Sequence, residues 1–148
     1  MTIARIIARN PRTIIQCMPQ ASVREAARLL AEHRIGALPV VSGDQVLGIF
    51  SERDLLYCIA RHDDGAQVLD RPVREVMTAP AISVTPATDA LDALALMTER
   101  RIRHLPVMDG AGAEARLVAF ISIGDIVKFR LDLMESEAEA LRDYIRTA

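Results

Sequence analysis

Tryptophan is absent, and aromatic residues make up only 3% of the 148 residues. A flat ligand on this chain would be held by aliphatic side chains and backbone, not by aromatic walls. There are two cysteines, Cys17 and Cys58, which form neither a metal-ligand spacing nor a disulfide framework. A reduced, cytoplasmic setting is therefore expected. The net charge is −2 and the pI about 5.9, so there is no basic excess to grip a phosphate backbone, and a general nucleic-acid binder is excluded. No run approaches the 18 or so apolar residues of a membrane span. The stretch 1–12 alternates arginine with short apolar runs and lacks the apolar core of a secretory signal. The histidines, His33, His62 and His104, fall at a helix end, in a polar linker and just before an LPV segment. None stands at an informative spacing from a cysteine or serine, so neither an enzyme nor a metal site is expected. What remains is a globular composition, 51% apolar and 26% charged, in a chain long enough to bury about 68–70% of its unfolded surface.

The chain repeats itself. Residues 34–41 read RIGALPVV and residues 101–108 read RIRHLPVM, an offset of 67. Ten of 29 positions are identical between 13–41 and 80–108. Beyond this stretch the offset grows to 71, because the second copy has four extra residues within 109–116, a glycine-containing turn where insertion is tolerated. Alignment then resumes, GIFSERDLL at 48–56 against AFISIGDIV at 119–127, matching Ser51 with Ser122 and Asp54 with Asp125.

Each copy has the same grammar. Short apolar runs at 13–17 and 81–84, closed by Pro19 and Pro86, predict strands. Ser22 with Glu25 three residues on is a capping box that opens a helix to about Arg34. Asp89 opens the equivalent helix in copy two. The runs 38–41 and 46–50 around Ser42-Gly43-Asp44 predict a hairpin, and a second helix starts at Ser51 and fades before Asp63. Each unit is thus β-α-β-β-α. The fold expected is α+β, two such repeats packed sheet to sheet with pseudo-twofold symmetry plus a long C-terminal helix. The boundaries expected are 1–65, 66–130 and 131–148, with a linker over 63–72.

These residues resemble the CBS domain, and the tandem resembles a Bateman module. The carriers are Ile15 with Pro19 and Ile82 with Pro86, the two LPV segments, and Gly48-x-x-Ser51-x-x-Asp54 with its partner Ala119-x-x-Ser122-x-x-Asp125. The resemblance implies a regulatory protein that binds an adenine nucleotide (AMP, ADP, ATP or NAD) or S-adenosylmethionine between the repeats. By position it implies one site from Ser51, Arg53, Asp54, Ala81, Ile82, Arg103 and His104. It implies a second from Ser122, Asp125, Ile14, Ile15, Gly36 and Ala37. The residues themselves permit two roles for Ser51 and Asp54. Serine and an acid at the third helical position simply cap a helix. The same helix end also attracts phosphate, and its carboxylate can accept both hydroxyls of a ribose. Arg103 and His104 suit phosphate, whereas Gly36 and Ala37 offer backbone and space, so the first site is expected to take the more phosphorylated end of a ligand. Two departures argue against equal sites: Ala119 replaces Gly48, and Ile123-Gly124 replaces Glu52-Arg53.

After Gly124, apolar residues recur at Val127, Leu131, Met134, Ala138, Leu141 and Ile145, in alternating steps of four and three. This heptad-like seam either folds back on its own repeat or joins two copies into a homodimer. The leading functional reading is a ligand-binding module acting on an effector protein. The competing one is a dimerisation scaffold with degenerate pockets.

Overall fold

The computed structural model describes residues 1–62 and 65–148. Its helices are α1 (Ile3–Arg9), α2 (Val23–His33), α3 (Glu52–Arg61), α4 (Ala90–Arg100) and α5 (Ile123–Thr147), and its strands β1 (Ala37–Ser42), β2 (Gln45–Ser51), β3 (His104–Asp109) and β4 (Arg116–Ser122). The repeat is a repeat of structure. In both copies the hairpin is antiparallel and carries one register irregularity at the same place, after Val40 and after Val107. Helices α2 and α4 bury the same spacing, Val23, Ala26 and Leu30 against Ala90, Ala93 and Met97. Both end on a left-handed arginine, Arg34 at φ 52° and Arg101 at φ 54°. The Ser22 box forms as expected: Ser22 Oγ accepts from the Glu25 amide at 3.1 Å, and the Ser22 amide donates to Glu25 Oε2 at 3.0 Å.

The strands predicted at 13–17 and 81–84 are reduced to one parallel bridge each, at Cys17 and Val84. The Cys17 amide donates to Pro39 O and the Val41 amide to Cys17 O, and Val84 does the same with Pro106 and Met108. The LPV prolines supply a carbonyl but no N–H, so the ladder has no donor with which to continue.

Packing crosses the boundary drawn between residues 65 and 66. Helix α1 precedes repeat one, yet Ile3 and Ile6 belong to the core of repeat two, with Leu105, Val107, Ile121 and Phe129. The Ile3 amide donates to Thr88 O, the Ala90 amide to Met1 O, and the N-terminal ammonium lies 3.1 Å from Asp89. Conversely, Val73 lies in the core of repeat one with Leu38, Val40 and Phe50, and Leu69, Val76 and Met77 pack against it. There the Val23 amide donates to Arg71 O and the Val73 amide to Ala21 O. The expected linker is therefore largely ordered: 65–70 forms a 3₁₀ turn that buries Val68, while residues 63 and 64 lie outside the described residues. Each repeat is strapped by the segment that precedes the other. Burying side chains such as Ile3 and Val73 stabilises by about 1.5–3 kcal/mol each.

The strap also explains a departure between the copies. Thr78 pairs with Ile49 through two 2.9 Å hydrogen bonds, and a Cβ on Gly48 would meet Thr78 O at 2.8 Å and Met77 Sδ at 2.7 Å. At the 67-residue offset Thr78 falls opposite Pro11, which has no N–H to offer β4. The glycine thus makes room for a bridge that copy two cannot form with that residue.

The C-terminal helix does not fold back. The residues it buries, Ile126 and Phe129, lie off the seam. Val127, Leu131, Met134, Leu141 and Ile145 are 44–66% exposed, and every residue from Met134 onward is exposed.

Candidate functional site

Helices α3 and α5 begin alike. In α3, Asp54 Oδ2 accepts from the Ser51 amide at 2.9 Å and from Ser51 Oγ at 3.0 Å, while Ser51 Oγ accepts from the Asp54 amide. In α5, Asp125 Oδ2 accepts from the Ser122 amide at 2.8 Å and Ser122 Oγ accepts from the Asp125 amide. The first helical amide is used as well: Glu52 N–H donates to Gly36 O at 3.0 Å and Ile123 N–H to Arg103 O at 2.8 Å. The capping reading of Ser-x-x-Asp is thereby realised in both copies. It occupies only one oxygen of each carboxylate. The other, Oδ1, takes a partner from a strap: Thr78 Oγ1 at 2.8 Å on Asp54, and Arg12 Nη1 at 3.2 Å on Asp125.

Two clefts open at these helix starts, of about 850 and 650 Å³, in the size range of small-molecule sites. The first gathers Ser51, Arg53, Asp54, Ala81, Ile82, Arg103 and His104, the full set expected for one site. The second gathers Ser122, Asp125, Ile14, Ile15, Gly36 and Ala37. Gly36, Ala37 and His104 line both. His104 stacks on Phe120 with ring centroids 5.5 Å apart, and a Cβ on Gly36 would lie 3.4 Å from its Cε1. The space left by Gly36 is thus taken by the imidazole from the pseudo-equivalent side. Burial pushes the His104 pKa below its ordinary value, opposed by Asp125, with Arg103 adding to the depression and Glu52 opposing it.

The expected inequality of charge does not hold. The first cleft sets Arg53, Arg61, Arg100, Arg101 and Arg103 against Glu52, Asp54 and Glu75. The second sets Arg9, Arg12, Arg34 and Lys128 against Asp125 and Asp132. Both have an excess of two positive charges, because the straps and helix ends bring cations that lie far in sequence from Gly36 and Ala37. Arg53 is partly committed, since Nη1 donates to the Arg101 carbonyl at 3.2 Å. Thr78, Arg61, Arg12 and Lys128 were not singled out by the sequence. The repeat alignment held no signal for the first and third, because at the 67-residue offset Thr78 falls on Pro11 and Arg12 on Ala79.

Cys17 is buried, and desolvation with a contribution from Glu25 raises its thiol to about 11, which suits a core residue and not a nucleophile. Among the described residues no group of three His, Cys, Asp or Glu side chains forms a metal cage, and no helix is long and apolar enough to cross a membrane.

Comparison with known proteins bears on the whole chain. Structurally it is similar to a CBS-domain protein from Burkholderia ambifaria, 39% identical with a TM-score of 0.79, covering 89% of this chain and 95% of that one. It is also similar to CBSX2 solved in complex with AMP, 27% identical, TM-score 0.74, covering 90% and 98%. In sequence it is 36% identical to the mitochondrial CBS domain-containing protein CBSX3 of Arabidopsis thaliana over 135 residues, 88% of this chain. The chain spans 63–66% of the length of two curated relatives. The CBS-domain model itself matches twice, over residues 6–61 and 73–132. With the duplicated hairpins, caps and clefts, this makes the chain a member of the CBS-domain family, a tandem CBS pair.

Proposed function

We propose that this chain is a cytoplasmic regulatory module that binds an adenine nucleotide, AMP, ADP, ATP or NAD, in the clefts between its repeats and passes occupancy to an effector protein by a change of shape or assembly. The observation that carries the reading is the pair of carboxylates, each with one oxygen fixed in a helix cap and the other turned to a cation-rich cleft. A ribose diol donates to such an oxygen, and the surrounding arginines suit phosphate. The AMP bound to CBSX2 supports the ligand class. The cation excess favours an anionic nucleotide over S-adenosylmethionine, which carries a sulfonium. A scaffold with degenerate pockets would use these carboxylates only as helix caps and would have no use for a surplus of cations around both. In the assembled form, the exposed seam of α5 packs against the same seam of a second copy, and the spacing suits helix pairing.

Three outcomes follow. Asp54→Ala and Asp125→Ala each weaken AMP at one cleft by about 1.5–3 kcal/mol, roughly 10- to 150-fold in Kd. Calorimetry on folded variants that finds both affinities unchanged contradicts the reading. An anion bound beside His104 favours its charged form, so binding takes up a proton and tightens as pH falls through the ordinary histidine range and below it, since burial holds the free imidazole below that range. AMP titrates in the same range, so the quantity to read is the difference between the wild type and His104→Asn, and coincident pH profiles would refute the role. Removing residues 136–148 halves the mass seen by light scattering, and an unchanged mass rules out the α5 contact.

A further inference from the structure

The two clefts carry equal net charge but hold their carboxylates differently. On Asp54 the cleft-facing oxygen accepts from a neutral hydroxyl, Thr78 Oγ1, at 2.8 Å. On Asp125 it faces the guanidinium of Arg12 at 3.2 Å. This arginine is held from the other side too. With its carboxamide oxygen turned toward the guanidinium, Asn10 accepts from Nη2 at 2.8 Å and Nε at 3.2 Å. Arg12 is therefore a fork fixed between Asn10 and Asp125, although 62% of its side chain is exposed, while the carboxylate it meets is only 18% exposed.

We propose that Arg12 is a specificity-determining residue that makes the second cleft demand a phosphorylated ligand, while the first also accepts the bare nucleoside. The inference rests on the reading that a diol lands on Asp54 and Asp125. At Asp54 the exchange is hydroxyl for hydroxyl: Thr78 turns to water and the sugar takes its place, with no charge left unpaired. At Asp125 the diol competes with a charge-assisted contact, and a neutral nucleoside offers the displaced guanidinium nothing in return. The other charged residues of that cleft, Arg9, Arg34 and Lys128 against Asp132, sum to a positive surrounding that makes an unpaired Arg12 less welcome still. A ligand that brings a phosphate supplies the missing anion. The carboxylate then takes the sugar and the guanidinium the phosphate, a planar fork well matched to both.

Single-cleft variants isolate the effect. Calorimetry with AMP and adenosine is run on Asp54→Ala, which reports the second cleft, and on Asp125→Ala, which reports the first. The preference for AMP over adenosine is expected to be about tenfold larger in the second cleft, the scale of one charge-assisted hydrogen bond. Adding Arg12→Met to Asp54→Ala should bring the ratio down to that of the first cleft, by improving adenosine as well as weakening AMP. Arg12→Lys, which keeps the charge but loses the planar fork, should retain part of the preference and guards against a methionine variant that fails to fold. Equal ratios in the two clefts, or a ratio that survives Arg12→Met, overturn this inference and leave the nucleotide reading standing. If both alanine variants bind AMP as the wild type does, the diol reading fails and takes this inference with it.

Discussion

A carboxylate has two oxygens, and this structure uses them for different purposes. One oxygen of Asp54 and one of Asp125 close the first turn of a helix by accepting from a serine amide. That bond fixes the carboxyl plane and leaves the second oxygen aimed into a cleft. Under the proposed function the helix cap and the binding group are one object, so capping needs no residue that binding must give up. The cation excess, the shared imidazole and the partners on Oδ1 all take their meaning from where that oxygen points.

The crossed straps decide what stands around it. A repeat of about 60 residues buries too little apolar surface to be comfortable alone. Each copy completes its core with residues from the segment before the other, Ile3 and Ile6 in one case and Val73 in the other. The same segments run past the helix starts of α3 and α5 and deliver Thr78 and Arg12 to the carboxylates. Core completion and site construction are therefore coupled. A change in the strap that loosens packing therefore also alters the chemistry at the aspartate.

Much of this was legible in the residues. The 67-residue repeat, the Ser-x-x-Asp starts and the LPV segments located both hairpins and four of the five helices, while the grouping of residues into two clefts came from the resemblance to the CBS pair. What escaped has physical reasons. The short runs at 13–17 and 81–84 look like strands by composition, but the prolines opposite them offer no donor, a constraint that appears only once the pairing partner is known. Helix α1 looked like a featureless arginine-rich start, because its two buried isoleucines find their partners beyond residue 80. The charge of the second cleft was misjudged for the same reason: Arg9, Arg12 and Lys128 reach it through tertiary packing and not through local spacing. The seam of α5 was visible as a period, but a period says only which residues share a face. The structure shows that this face is not covered by the chain's own repeats.

The most direct test is a crystal structure of the full chain grown with AMP. The account predicts ribose oxygens at hydrogen-bond distance, about 2.7 Å, from Asp54 Oδ1, with Thr78 turned away and the Ser51 cap intact. A nucleotide seated elsewhere, with the Thr78 contact undisturbed and both aspartates remote from the sugar, would contradict it.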